Sequence, residues 1–294
     1  MKTADLVARL DSFFRVGEYP AEDFAEIEEF CREAVIPLAD YATPGFMKRH
    51  NGLMLDNAPD VAWVFTLVFP SDEVLAEVER LAAGRPGLIF THHPMDFETS
   101  GRGLLPVGEE WLKRLREAGI SLYSAHAPLD CHEAVSTSRA LAREVGVAVE
   151  SVFAGYHGGH EGVIGTTGPQ EFDEFVSRVG VACGVGRVNT RPYSDRVHRV
   201  AVVAGGAAFP AMMREAQAAR CDTYLTGDFR VRHGGPWAEE HRPQFDAEIE
   251  RLTINLVGGS HAGSEGVVLR HDMIDWFLEA GVGAEFVAQD DLWR

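Results

Sequence analysis

Short apolar runs alternate along the chain with stretches in which apolar residues recur every three or four positions. The runs fall at 61–69, 88–91, 120–124, 200–204, 223–226 and 252–257, each giving way to polar or glycine-rich sequence, as a strand does where it enters a loop. Helical periodicity occupies 109–118, 134–145, 171–179, 211–219 and 264–280. The segment SDEVLAEVERLAAG predicts a further helix, with Ser71 as N-cap, Asp72 and Glu73 in the first turn, and Gly84 and Pro86 as stop signals. Elements returning roughly every thirty to forty residues are the pattern of βα units and predict an α/β fold.

The first fifty residues break this pattern, being acidic and helical with no obvious strand. Gly, Pro and Thr become denser over 155–195, the best place for a boundary between two lobes. The expected organisation is a helical N-terminal extension (1–50), a first α/β lobe (51–160) and a second α/β lobe (161–294), with mixed sheets flanked by helices.

Composition narrows the picture. The chain has 294 residues, 46% hydrophobic, enough for a real core in one large or two small domains. No stretch approaches about 18 uninterrupted apolar residues and the N-terminus lacks a signal-peptide pattern, so a cytoplasmic protein without membrane partners is expected. The net charge of -18 excludes general attraction to nucleic-acid backbones. Cys31, Cys131, Cys183 and Cys221 are scattered with no CxxC pair, which fits buried thiols in a reducing compartment, so any metal must be held by nitrogen and oxygen.

The candidate chemistry lies where apolar runs end. GLIFTHHP delivers His92 and His93 to the polar end of a strand. Successive side chains of an extended backbone point to opposite sides, so neighbouring histidines suit two ions better than one chelate; the alternative is a pair of ordinary loop histidines before a proline. A second strand end, ISLYSAHAPLD, carries His126 and Asp130, and Pro128 argues for a turn rather than a regular helix between them. In a third, GGSHAGSE, His261 precedes Glu265 by four residues, the spacing of one helix face. Capping is the competing explanation there, with Ser260 or Ser264 as the cap and Glu265 complementing the helix dipole. Together the histidines and carboxylates make a nitrogen and oxygen set suited to two divalent ions, Zn, Fe, Mn or Co, which Glu265 is well placed to bridge.

These motifs resemble the GTP cyclohydrolase 1 type 2 homologues, the Nif-three-like dinuclear metal-centre proteins. LIFTHHP, LYSAHAPLD, the glycine-rich stretch VAVVAGGAAFP running on to LTGD, and GSHAGSE follow the family's order over most of the chain. The resemblance implies two α/β lobes around a dinuclear site, with His92 and His93 on different ions, Asp130 and His261 completing the two sets, and Glu265 touching both. It also implies a catalytic or neighbouring role for His126 as proton shuttle and for Asp228 as carboxylate base. For Asp228 a buried strand-end turn at Gly227 is the alternative. A ring-like homohexamer is implied as well. The chain departs from the pattern in its longer preamble, in GGPWAEEHRPQ after LTGD and in GYHGGHEG, so no role is carried onto His233; HGGH reads as a loop, with His157 and His160 as additional pocket groups the alternative.

The function expected is a dinuclear metal-dependent hydrolase of a small anionic substrate, a nucleotide or phosphoester among the candidates. Two divalent ions, two carboxylates and a hydroxide leave a charge of about +1, which favours an anion. A non-catalytic metal-binding regulatory or chaperone protein is the alternative. Neither GxxxxGK[ST] nor GxGxxG is present to hold a nucleotide independently.

Overall fold

The computed structural model describes residues 1–22, 25–98 and 103–290. The chain divides into two compact units. The first holds Met1–Glu98, Leu104–Leu129 and Leu269–Gln289, and the second is built on Asp130–Val268.

In chain order the strands begin with β1 (Gly52–Leu55), β2 (Trp63–Leu67), β3 (Gly87–Thr91), a small ribbon of β4 (Asp96–Glu98) and β5 (Gly103–Leu105), and β6 (Ile120–Ser124). Then come β7 (Ala148–Tyr156), β8 (Gly159–Glu171), β9 (Asn189–Arg191), β10 (Arg196–Val203), β11 (Thr223–Thr226), β12 (Asn255–Gly258) and β13 (Gly283–Phe286).

The first unit's sheet has the order β1-β6-β3-β2-β13. From β6 to β13 the strands are parallel, and β1 is antiparallel at the edge. Strands β3 and β6 are buried at every residue, which is why they read as unbroken apolar runs rather than alternating ones. The helices Asp72–Ala82 and Glu109–Ala118 follow β2 and precede β6. Ser71 Oγ accepts from the Val74 N–H at 3.4 Å, and Gly119 ends the second helix with φ 64°. Their apolar faces place Leu75, Val78 and Leu112 in one cluster with Phe65, Ile89 and Leu122 of the sheet.

The second unit's sheet runs β7-β8-β10-β11-β12-β9. Its centre, β10-β11-β12, is parallel, and β8 and β9 flank it antiparallel. Val203, Tyr224 and Leu256 share a core with Met213 and Ala216 of the helix Pro210–Ala218. Both sheets are mixed and flanked by helices, the α/β architecture expected. Among the described residues no helix is long and apolar enough to cross a membrane.

Two local expectations differ from the structure, and a third, the loop reading of HGGH, holds at His157 and Gly158. The single helix expected over 264–280 is two, His261–Arg270 and Asp272–Ala280, broken at His271 (φ -116°, ψ -77°). The Gly-rich stretch near His157 is the turn of the β7–β8 hairpin, where His157 and Gly158 have φ of 43° and 85°, the pair of positive values a tight primed turn requires. Finally, Ala127–Asp130 is one helical turn; Pro128 is accommodated because a first-turn N–H needs no partner within the helix.

Candidate metal centre

In the first unit the chemistry gathers where two adjacent parallel strands end. Thr91 of β3 is level with Ser124 of β6, so the residues that follow, His92–His93 and Ala125–His126, leave the sheet side by side. Carboxyl ends of parallel strands are where α/β sheets collect ligands. The His92 and His93 N–H groups donate to the carbonyls of Leu67 (3.1 Å) and Val68 (3.0 Å). Thr91 Oγ1 donates to the His93 carbonyl at 2.8 Å, and Ser124 Oγ to that of His92 at 3.0 Å. The dipeptide is thus fixed by neighbours on both sides.

The rings are fixed as well. His92 is fully buried, and its Nδ1 lies 3.0 Å from the Ala125 carbonyl. A carbonyl only accepts, so Nδ1 carries the proton and Nε2 keeps its lone pair. His93 stacks on Phe69, centroids 4.2 Å apart and planes at 16°. His92, His93 and His126 each offer a nitrogen within 4.8 Å of the others, a group that could hold a metal ion.

His126 is tied to residues that its sequence neighbourhood does not suggest. Its N–H donates to Asn51 Oδ1 (2.8 Å), and its Nδ1 lies 2.5 Å from Glu22 Oε2. Glu22 Oε1 accepts from Asn51 Nδ2 at 2.5 Å and from the Ala127 N–H at 3.0 Å. Burial pushes the Glu22 carboxyl up, but the His126 charge and the hydrogen bonds from His126, Asn51 and Ala127 outweigh it, holding Glu22 at about 2. This lies below the ordinary 4.5, so the stabilisation is complete above that pH and is lost as pH falls toward 2. The gap is worth about 3 kcal/mol. Wild-type protein is therefore expected to lose stability over this window more steeply than Glu22→Gln, read from urea midpoints at successive pH values. Parallel pH profiles for the two proteins would refute this.

The second unit repeats the arrangement with different chemistry. Val203, Thr226 and Gly258, ending β10, β11 and β12, are level with one another, and Gly205, Asp228 and His261 follow them closely. Ser260, at φ 84°, turns the chain into the helix His261–Arg270, and its Oγ accepts from the Gly263 N–H at 3.2 Å. Ser260 is therefore the cap, while Ser264, fully buried, accepts from the Gly205 N–H at 2.9 Å. His261 and Glu265 share one face as their spacing predicts, Nε2 and Oε1 lying 3.0 Å apart.

The glycines after β10 make room for this pair. A Cβ on Gly205 (φ 85°) would come within 2.1 Å of Glu265 Oε1, and one on Gly206 within 3.1 Å of the His261 ring. Asp130, buried at 8% exposure, accepts from Thr137 Oγ1 at 2.6 Å. Asp228, also buried, pairs with Arg232 Nε at 2.9 Å. His160 lies on β8, and His233 stacks against Trp237.

The structure thus brings together His92, His93 and His126 in one unit and His261 with Glu265 in the other. Glu22, Asn51, Thr137, Ser264 and Arg232 are the partners that sequence reasoning missed. Asn51 alone left a trace, as the start of the motif fragment NGLML.

A family model described as Duf34/NIF3 (NGG1p interacting factor 3) matches residues 38–271. A protein of Pyrococcus horikoshii named "GTP cyclohydrolase 1 type 2 homolog" is 27% identical over 90% of this chain and 89% of its own. One of the same name in Borreliella burgdorferi is 24% identical over 99% of each. Among solved structures, that of protein ybgI, described as of unknown function, superposes with a TM-score of 0.71 at 21% identity, covering 99% of this chain and 100% of the other.

Proposed function

We propose that this chain, which belongs to the Duf34/NIF3 family, binds two divalent metal ions through His92, His93, Asp130, His261 and Glu265, and uses them to hydrolyse a small anionic substrate. The observation that carries the reading is the preorganised donor chemistry. His92 presents Nε2 because Ala125 holds Nδ1. His93 and His126 stand beside it, and His261 and Glu265 offer a nitrogen and an oxygen at 3.0 Å. Neutral imidazoles and carboxylates suit Zn, Fe, Mn or Co. Five ligands shared by two ions leave coordination positions for water and substrate, as catalytic sites do and closed structural sites do not.

Bound there, a pair of divalent ions would lower the pKa of a water and offset charge on an anionic transition state. The protein's own part is to hold donors and move protons. Through Nε2, His126 can take a proton from water or return one to a leaving group. Asp228, in its ion pair with Arg232, supplies a third carboxylate, as general base. The reaction in the relatives' name, on GTP, is one candidate within the anionic class.

The test is metal analysis of wild-type protein beside His93→Ala and Glu265→Ala, followed by a hydrolysis screen over nucleotides, phosphoesters and short peptides. Wild type should hold about two ions per chain and each variant about one or fewer. Variants that keep the full complement would sink the site. A fully loaded wild type that turns over nothing would favour the metal-carrier reading.

A further inference from the structure

Glu22 stands out among the buried charged groups because nothing so far gives it work beyond stability. It lies in the helical preamble, before the family match begins at residue 38, and 104 positions from the histidine it contacts. Its side chain is nonetheless only 3% exposed. Its backbone is secured on both sides: the Glu22 N–H donates to the Arg49 carbonyl at 3.3 Å, and the Glu22 carbonyl lies 2.8 Å from His50 Nδ1. Residues 17–21 before it are exposed or half-buried, so a carboxylate buried this firmly is unusual, since isolated buried carboxylates are costly unless fully hydrogen-bonded.

The bonding is divided between the two oxygens. Oε1 takes two donors, Asn51 Nδ2 and the Ala127 N–H, while Oε2 takes His126 Nδ1. Asn51 closes the circuit by accepting from the His126 N–H at 2.8 Å. The His126 ring packs 4.8 Å from His92 and 4.7 Å from His93, centroid to centroid. An ionised carboxylate only accepts, so the proton belongs on Nδ1, and the lone pair is on Nε2, across the ring.

We infer that Glu22 is a positioning residue of this site: the preamble folds back to place a carboxylate on His126 Nδ1, fixing the ring so that Nε2 is the nitrogen offered to metal or substrate. A carboxylate behind a histidine sets its tautomer and orientation and raises its basicity, and loss of such a partner typically costs about 10–100-fold in metal affinity. The inference rests on the metal reading above for that consequence but not for the tautomer, which is a property of the metal-free chain. The segment 1–37 thereby completes the site, and a chain trimmed to the family core would lack this support.

Glu22→Gln is a sharp probe because it keeps the shape and changes one atom. An amide has a single acceptor oxygen. Kept on the Oε1 side it retains Asn51 and Ala127 as donors and turns its NH2 toward His126 Nδ1, which must then accept and surrender its proton. The variant should invert the tautomer to Nε2–H, and Glu22→Ala should leave a mixture. Nitrogen NMR of histidine-labelled, metal-free protein at about pH 8.5, where histidine is ordinarily neutral, reads this directly, with His126→Asn assigning the signals.

In wild type Nδ1 should be protonated; in Glu22→Gln it should not. Zinc titration of the same samples, with the far-ultraviolet spectrum unchanged, separates the two uses of Nε2: an affinity lower by about 10–100-fold in the variant adds His126 to the ligands, and an unchanged affinity leaves it to proton transfer. An unprotonated Nδ1 in wild type, or one equally protonated in Glu22→Gln, overturns the inference whatever the metals do. The wild-type measurement decides the matter even if the variants fold poorly. A tautomer that inverts in a protein that never binds zinc leaves the positioning role standing and removes the metal reading instead.

Discussion

Replacing Gly227 by alanine is expected to lower the stability of the second unit by about 3 kcal/mol, near the upper end of what overpacking a core costs. Three oxygens crowd the place a methyl would take: the carbonyls of Gly205 and Ser260, at 2.6 and 2.7 Å, and Ser264 Oγ at 2.6 Å. Two of these are backbone and cannot swing aside. The same carbonyls are already bonded into the strand ends. Gly205 accepts from the N–H groups of Gly227 and Asp228 at 3.0 Å, and Ser260 accepts from that of Ser264 at 3.0 Å. A displaced backbone here moves Ser260 and with it the start of the helix bearing His261 and Glu265. Thermal denaturation should show a midpoint lower by about 5–10 °C for a chain of this size, together with weakened metal uptake below the transition. A midpoint within about 2 °C of wild type would show that the strand ends yield easily. Gly205 is a different case, because the nearest obstacle to its Cβ is the tip of the Glu265 side chain, and the expected damage there falls on ligand placement.

The contrast between these glycines shows how far the sequence could be read. The run VAGGAAFP and the motif LTGD stand out as glycine-rich strand ends, yet nothing in them says which glycine faces backbone and which faces the His261 and Glu265 side chains. Parallel strands were legible for a physical reason. Strands β3, β6 and β11, buried at every residue, show as unbroken apolar runs. Strands β7 and β8 mix exposed and buried residues amid glycines, and so escape notice. The break at His271 was hidden because apolar residues on both sides keep helical spacing, and β1 because it is a four-residue edge strand.

The candidate site was legible to the extent that its chemistry is rare. Twelve histidines in 294 residues can be weighed one by one, and strand-end position picks out His92, His93, His126 and His261. Glu22 is one of 45 acidic residues, in a segment whose acidity looks like ordinary solvation. Its role depends on a contact across 104 positions that no local pattern encodes. Thr137, bonded to Asp130, and Ser264, bonded to Gly205, are hidden in the same way, as helix residues whose hydroxyls matter only once the elements have packed.

Phe90→Ala separates the stability of the first unit from the integrity of its histidines. Phe90 is fully buried in β3, directly before Thr91. Its ring stacks with Phe14 and Tyr123, centroids at 5.7 and 5.9 Å, and meets the edge of Phe277 at 5.5 Å. Phe14 ends the first helix of the chain and Phe277 lies in the last, so one side chain ties both ends of the sequence to the central sheet. Truncation removes that hub and leaves a cavity, at a cost of about 3–5 kcal/mol. The histidines need not follow. His92 and His93 hang from the Leu67 and Val68 carbonyls and from the hydroxyls of Ser124 and Thr91, none of which touches the lost ring's chemistry. The variant should therefore denature at markedly lower urea while holding the wild-type number of metal ions in buffer. A loss below about 1 kcal/mol would mean that the surrounding rings collapse to fill the space, since the cost scales with the volume left empty. Full stability accompanied by loss of metal would show instead that the sheet transmits strain from core to site, and that backbone anchoring alone does not hold the histidine pair.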